Sequence, residues 1–228
     1  MTTIDESGLF YPLIKRRDNY QKSNRGEYYA DYAIYREAIR QDCIGRCVYC
    51  DCHENENGGP QHMNLDHFRP KAVPRFEHLR NNPENLVWAC AGCNQLKGDY
   101  WPDRDSDNSI VGNIGFVEPF KESYRDYFEV QVDGSLLPKK VPAKYMIEFL
   151  GLNRISKRKN REMRLVKCKI INGFDEQISR VRHILDSTLG DDERYELEIV
   201  LSWLIETRDK FPTLLDFTLY PLVDTPNQ

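Results

Sequence analysis

Four of the seven cysteines stand in two pairs, Cys47-Val-Tyr-Cys50 and Cys90-Ala-Gly-Cys93. A two-residue spacer lets a tight turn aim both sulfurs at one ion about 2.3 Å away, and two such pairs complete the tetrahedral set that zinc prefers. The pairing predicts a structural zinc on Cys47, Cys50, Cys90 and Cys93; disulfides and redox-active or merely buried thiols are the weaker alternatives. Cys43, Cys52 and Cys168 are left over, and Cys52 and His53 stay outside the ligand set, because a lone Cys or His near a site is more often a bystander.

Between and just after the pairs lie side chains of a different chemistry, in Asn64-Leu65-Asp66-His67-Phe68-Arg69-Pro70-Lys71, then Asn85, then Asn94-Gln95-Leu96-Lys97. Asp66 offers carboxylate oxygens suited to a hard cation such as Mg²⁺, and Asn94 a second oxygen. His67 is the natural base, since an unperturbed imidazole with a pKa near 6.5 is largely neutral at cellular pH. Neighbouring strand residues point to opposite faces, so a strand carrying Asp66 and His67 must end or twist there for both to serve one site. Asn85 could cap a helix, and Arg69 and Lys97 are candidates for holding phosphate, although exposed bases are usually just solvated.

These residues need elements to position them. Ala30, Ala33, Ile34, Ala38 and Ile39 have the spacing of one helical face, which predicts a helix over 28–42. Asp51 to Gly59 is polar and ends Asn-Gly-Gly-Pro, a loop, and Met63 to Phe68 is a short strand. Asn81-Asn82-Pro83-Glu84 resembles a helix entry, so 85–97 is expected to be helical, with Gly98 as its stop. Phe128, Val130 and Val132 alternate before Asp133-Gly134 and predict a peripheral two-stranded ribbon. From Pro142 onward the apolar residues recur at helical spacing, as in Met146, Phe149 and Leu150 or Leu197, Val200, Leu201 and Leu204, and predict a helical bundle. The organisation expected is an N-terminal helical segment (1–44), a catalytic module (45–104), a linker with a β-hairpin (105–141) and a C-terminal helical region (142–228).

Composition narrows the class. With 228 residues, 40% hydrophobic and 30% charged, the chain reads as an ordinary globular protein, and no apolar run approaches the roughly 20 residues that cross a bilayer. Acids in the opening Met-Thr-Thr-Ile-Asp-Glu-Ser stand where a secretory signal would carry bases, so a cytoplasmic location is expected. The net charge of −4 conceals asymmetry: from Arg154 to Lys169 there are 8 bases and 1 acid, a balance of +7. That stretch could grip a phosphate backbone or be the solvated face of a helix. Past Asp175 the sign reverses, and acids such as Asp191, Asp192 and Glu193 suit a protein partner better than DNA.

The order Cys-x-x-Cys, Asp-His, Asn-Leu, Cys-x-x-Cys-Asn-x-x-Lys resembles the HNH endonuclease family, in its subclass with a four-cysteine zinc knuckle, over about a quarter of the chain. The resemblance implies an α+β protein: a ββα-metal core with a four-cysteine knuckle, embedded in mainly helical surroundings. It implies that His67 ends the first strand and acts as general base, that Asn85 braces the loop that orients it, and that Asp66 and Asn94 hold Mg²⁺, with Mn²⁺ as the alternative. The substrate implied is DNA, or else RNA, cut by hydrolysis to a 5′-phosphate and a 3′-hydroxyl. Asn94 departs from the many members that have a last His there; it keeps an oxygen ligand and weakens the case for a transition metal.

Looser likenesses, in Gly115 to Phe120, Asp133-Gly134 and Phe149 to Arg154, are to HNH nucleases of retrons and Septu-type anti-phage systems. They imply a defence effector acting with an ABC-class ATPase; since the chain carries no nucleotide-binding loop, that ATPase would be a separate protein. The competing reading, from another class, is a non-catalytic zinc module that binds nucleic acid or protein. Asp66, His67 and Asn94 separate the two, because a pure binding module has no need of them beside the knuckle.

Overall fold

The computed structural model describes residues 9–187 and 190–214. Two compact units share the chain: one spans Phe10–Arg161, the other takes Leu9 and the described residues from Glu162 onward.

In the first unit a 3-10 turn, Tyr32–Tyr35, leads into helix α1, Arg36–Asp42. The Asp31 carboxylate accepts from the Ala33 amide and caps the entry, so the expected helix begins near residue 32 and 28–31 stays outside it. Strand β1, Met63–His67, pairs antiparallel with β2, Leu86–Cys90, in the register Met63 to Cys90 and His67 to Leu86. Helix α2 is Ala91–Lys97 and packs on both strands. The expectation of a helix over 85–97 therefore fails in its first half. Pro83 opens only a 3-10 turn, Pro83–Asn85, whose entry is capped by Asn82. The following Leu-Val-Trp-Ala-Cys is a short, wholly buried apolar run, a pattern that periodicity alone assigns to neither class. Pairing with β1 decides for strand. Gly98, with φ +50°, gives its amide to the Asn94 carbonyl and ends α2 as its position predicts.

The result is the mixed fold expected: small antiparallel sheets among helices, with a ββα unit at the four cysteines. Around it lie β3 (Ile110–Val111) with β4 (Ile114–Gly115), and β5 (Phe128–Val130) with β6 (Leu136–Pro138). The ribbon expected to be peripheral is instead part of the core. Phe128 and Leu136 are buried with Trp88, Phe116 and Met146, and helix α3, Ala143–Phe149, packs on β6. Asn153 clamps Leu136 by accepting from its amide at 2.8 Å and donating to its carbonyl at 3.0 Å.

Helix α4 runs Ile155–Leu185 and carries Met163, Val166 and Ile170 together with Ile178, Val181 and Ile184 on one continuous helix, and α5 is Asp191–Leu214. In the second unit these two helices meet through Phe174 against Phe211 and Asp175 paired to Arg208.

The first turns of α4 correct the reading of the basic stretch. Arg161 is 1% exposed, and its guanidinium donates to the carbonyls of Gly134 at 2.6 Å and Leu152 at 2.7 Å. Arg158 pairs with Asp133, and buried Lys157 donates to Asn57 at 3.2 Å. Three of the eight bases thus hold the hairpin and the loop after the first cysteine pair rather than facing a phosphate backbone. Arg161→Met should leave two buried carbonyls without donors and lower unfolding free energy by about 3 kcal/mol. Chemical denaturation measures this; an unchanged midpoint would return Arg161 to the surface charges.

Candidate active site

The four sulfurs meet because the turn carrying the first pair is tied to β2, at whose end the second pair begins. The first pair occupies a turn in which the Cys47 amide donates to the Cys52 carbonyl and the Val48 amide reaches the Trp88 carbonyl of β2 at 3.0 Å. The second begins at the last residue of β2 and ends in the first turn of α2. All four thiol sulfurs lie within 4.8 Å of one another, and Cys50 and Cys90 are 3.8 Å apart. A tetrahedral set about 2.3 Å from zinc has sulfurs roughly 3.8 Å apart, so the cage fits that ion. Hydrogen bonds from neighbouring thiols, that of Cys47 first, pull Cys50 well below the usual thiol range and Cys90 to about 7, while burial pushes Cys47 well above that range and Cys93 is also raised. Burial works against the Lys157 ammonium, yet the sulfurs, Cys50 foremost, hold its proton above the ordinary lysine value. With a divalent ion held by four thiolates, that buried cation would offset the excess negative charge. Cys52 is outside the cage; its sulfur accepts from Asn160 at 3.4 Å.

Strand β1 ends at His67, where the chain turns into the Phe68 to Val73 loop. The His67 Nε2 lies 2.7 Å from the Arg80 carbonyl, an acceptor only, so Nε2 carries the proton and Nδ1 keeps the lone pair. Burial lowers the imidazole pKa from 6.5; the Arg80 carbonyl opposes this, and the charges of Lys71, Lys97 and Arg80 add to it. The Tyr32 ring meets the imidazole at 4.7 Å and nearly at right angles, which limits its rotation.

Asn85 grips the loop from the other side. Its Oδ1 accepts from the Arg69 amide and its Nδ2 donates to the Arg69 carbonyl, both at 2.9 Å, while its own carbonyl takes the Phe68 amide. Residues 68 and 69 are thereby held at a fixed distance from the foot of β2.

Asp66 is buried, and its Oδ2 accepts from the Tyr49 hydroxyl at 2.5 Å. Lys97, with no exposed side-chain surface, places Nζ 3.3 Å from Asp66 Oδ2 and 2.9 Å from the His67 carbonyl. Burial raises the Asp66 pKa above the ordinary carboxylate value, and Lys97 pulls the other way. Among the described residues Oδ1 meets only the ammonium, at 3.4 Å, and it retains capacity to accept. Asn94 precedes Lys97 by three residues on α2 and so shares its face, the one turned to Asp66. Its side-chain amide makes no hydrogen bond among the described residues and it is half-buried. A carboxylate oxygen and an uncommitted amide oxygen suit a hard cation that keeps most of its waters.

Arg69 donates to Glu118 at 3.1 Å and lies over the Phe68 and Trp101 rings. Two contributors escape sequence reasoning. Tyr49 is an unremarkable spacer residue between two cysteines, and Arg80 acts through its backbone, for which residue type gives no signal.

Residues 47–100 match the family model described as HNH endonuclease. Searches of curated proteins and of solved structures gave no match. No described helix is long and apolar enough to cross a membrane.

Cys90→Ser should remove one ligand of the cage and release about one zinc per chain, with loss of the folded unit, measured by elemental analysis and circular dichroism. Folded protein free of zinc would contradict this. The lowered His67 pKa also has a sign: the neutral base persists below pH 6.5 and is lost as pH falls through its folded value. The acid limb of any His67-dependent rate should therefore lie below 6.5; a limb above it would contradict the burial argument.

Proposed function

We propose that this chain, which carries an HNH endonuclease domain over residues 47–100, hydrolyses phosphodiester bonds in DNA, or else RNA, with His67 as general base. The observation that supports it most is the hydrogen bond from His67 Nε2 to the Arg80 carbonyl at 2.7 Å. It commits one nitrogen and leaves Nδ1 to take a proton from water as the oxygen attacks phosphorus. The bond from phosphorus to the 3′-oxygen then breaks, and that oxygen takes a proton from solvent, giving a 5′-phosphate and a 3′-hydroxyl.

Asp66 and Asn94 are the residues that would hold Mg²⁺, with Mn²⁺ as the alternative. A divalent cation bound there supplies charge neutralisation at the phosphate and at the leaving oxygen. Asn85 keeps the loop in place and so orients His67. For Lys97, the burial supports a role beneath the site: it balances the Asp66 charge and holds the end of β1 by the His67 carbonyl. The zinc cage would carry structure alone, since all four of its positions are protein sulfurs.

The setting we infer, an anti-phage effector acting with an ABC-class ATPase, draws on the resemblance in Gly115 to Phe120, Asp133-Gly134 and Phe149 to Arg154. Those residues have structural work as well: Phe116, Leu150 and Leu152 are fully buried, and Arg161 binds Gly134.

The test is cleavage of plasmid, single-stranded DNA and RNA with Mg²⁺, with and without the product of the neighbouring gene. His67→Ala should lose about 10² to 10⁴-fold in rate and keep its zinc and its affinity for substrate. Asp66→Ala should lose activity and regain part of it at high Mg²⁺, a rescue the His67 variant should not show. Wild-type cutting by His67→Ala would remove the proposed base, and wild type that binds these substrates but cuts none of them would favour a zinc module that only binds.

A further inference from the structure

Near His67 the cations divide by what occupies them. Lys97 is buried against Asp66, and Arg69 is paired with Glu118. Lys71 follows in the same loop, and among the described residues no carboxylate pairs with it. Its ammonium lies 3.0 Å from the Tyr32 hydroxyl and 4.6 Å from the centre of that ring. The same ring is 4.7 Å from the His67 imidazole.

Two devices hold the lysine there. Asn85 fixes both backbone groups of Arg69, and Pro70 opens a turn closed by the Val73 amide on the Pro70 carbonyl at 3.0 Å. Lys71 is the next residue of that turn. Tyr32 comes from the other direction, on the 3-10 turn capped by Asp31. An ammonium has three donors, and Tyr32 accepts one of them. Two N–H donors and the Tyr32 O–H remain, on half-buried side chains that meet at the ring packed against the base. An unpaired cation with unused donors in that position is a site for an oxyanion.

We propose that Lys71 and Tyr32 grip a non-bridging phosphate oxygen of the nucleic-acid strand being cut, and so set the phosphorus against His67. This rests on the nuclease reading. The Tyr32 ring is shared by both partners, so the strand's phosphate and the base are registered through one side chain. Lys71 is the substrate contact of the loop, in the place that sequence reasoning gives to Arg69 and Lys97.

The test compares wild type, Lys71→Gln, Lys71→Arg and Tyr32→Phe, each checked for zinc content. Binding to labelled duplex and single-stranded DNA is measured against salt with Ca²⁺ in place of Mg²⁺, and cleavage kinetics are measured with Mg²⁺. Lys71→Gln should reduce the slope of log affinity against log salt by about one and raise KM about tenfold, with kcat little changed. Lys71→Arg should recover most of both, and Tyr32→Phe, which keeps the ring beside His67, should raise KM by less. If wild type cuts and Lys71→Gln keeps the wild-type slope and KM, the grip is wrong while the nuclease reading stands. A fall in kcat alone with an unchanged slope would also overturn it and make Lys71 an anchor for Tyr32. If wild type neither binds nor cuts, the nuclease reading fails and the grip with it.

Discussion

The register between Met63–His67 and Leu86–Cys90 is the constraint on which the site depends. A slip of one residue would turn Asp66 away from Lys97 and Tyr49 and His67 away from Arg80, because strand side chains alternate with period two. Two strands of five residues cannot hold a register by themselves. It is held at one end by sulfur, since Cys90, opposite Met63, belongs to the cage, and at the other by Asn85, which ties the loop after His67 to the foot of β2. The site lies between two clamps of different chemistry.

Asp66, His67, Asn85 and Lys97 each have a hydrogen-bond or ion-pair partner. Burial favours neutral forms at both Asp66 and His67, but the consequences differ. For the imidazole, neutrality with Nε2 protonated is the form a base needs. The carboxylate needs a nearby cation to stay ionised, and Lys97 is placed to supply it. The surrounding layer, in which Arg161, Asn153 and Arg158 hold the hairpin and the start of α4, keeps these small elements covered.

The cage is legible in the sequence because sulfur spacing maps directly onto coordination geometry, and β1 because it runs into a clear loop signal. Helix α2 is legible as the second half of the helix expected over 85–97, with Gly98 as its stop. The strand Leu86–Cys90 is not: a buried apolar run has no period, and Pro83 mimics a helix start. The basic stretch misleads for a related reason. Composition counts charges but not partners, and Arg161, Lys157 and Arg158 find theirs 27, 100 and 25 residues away. Lys97 looks like a surface base and is fully buried, whereas Lys71, two residues past Arg69, draws no notice because it belongs to no repeated pattern. Arg80 contributes a carbonyl, which any residue could offer.

The most direct test of the central claim is the tautomer of His67, read from long-range ¹H–¹⁵N correlation spectra of the zinc-loaded protein near neutral pH. The hydrogen bond to the Arg80 carbonyl requires the proton on Nε2, and burial, which lowers the pKa from 6.5, keeps the ring neutral, so Nδ1 should show the shift of an unprotonated nitrogen. A ring protonated at Nδ1, or an imidazolium at that pH, would leave no lone pair facing the substrate and would contradict the account.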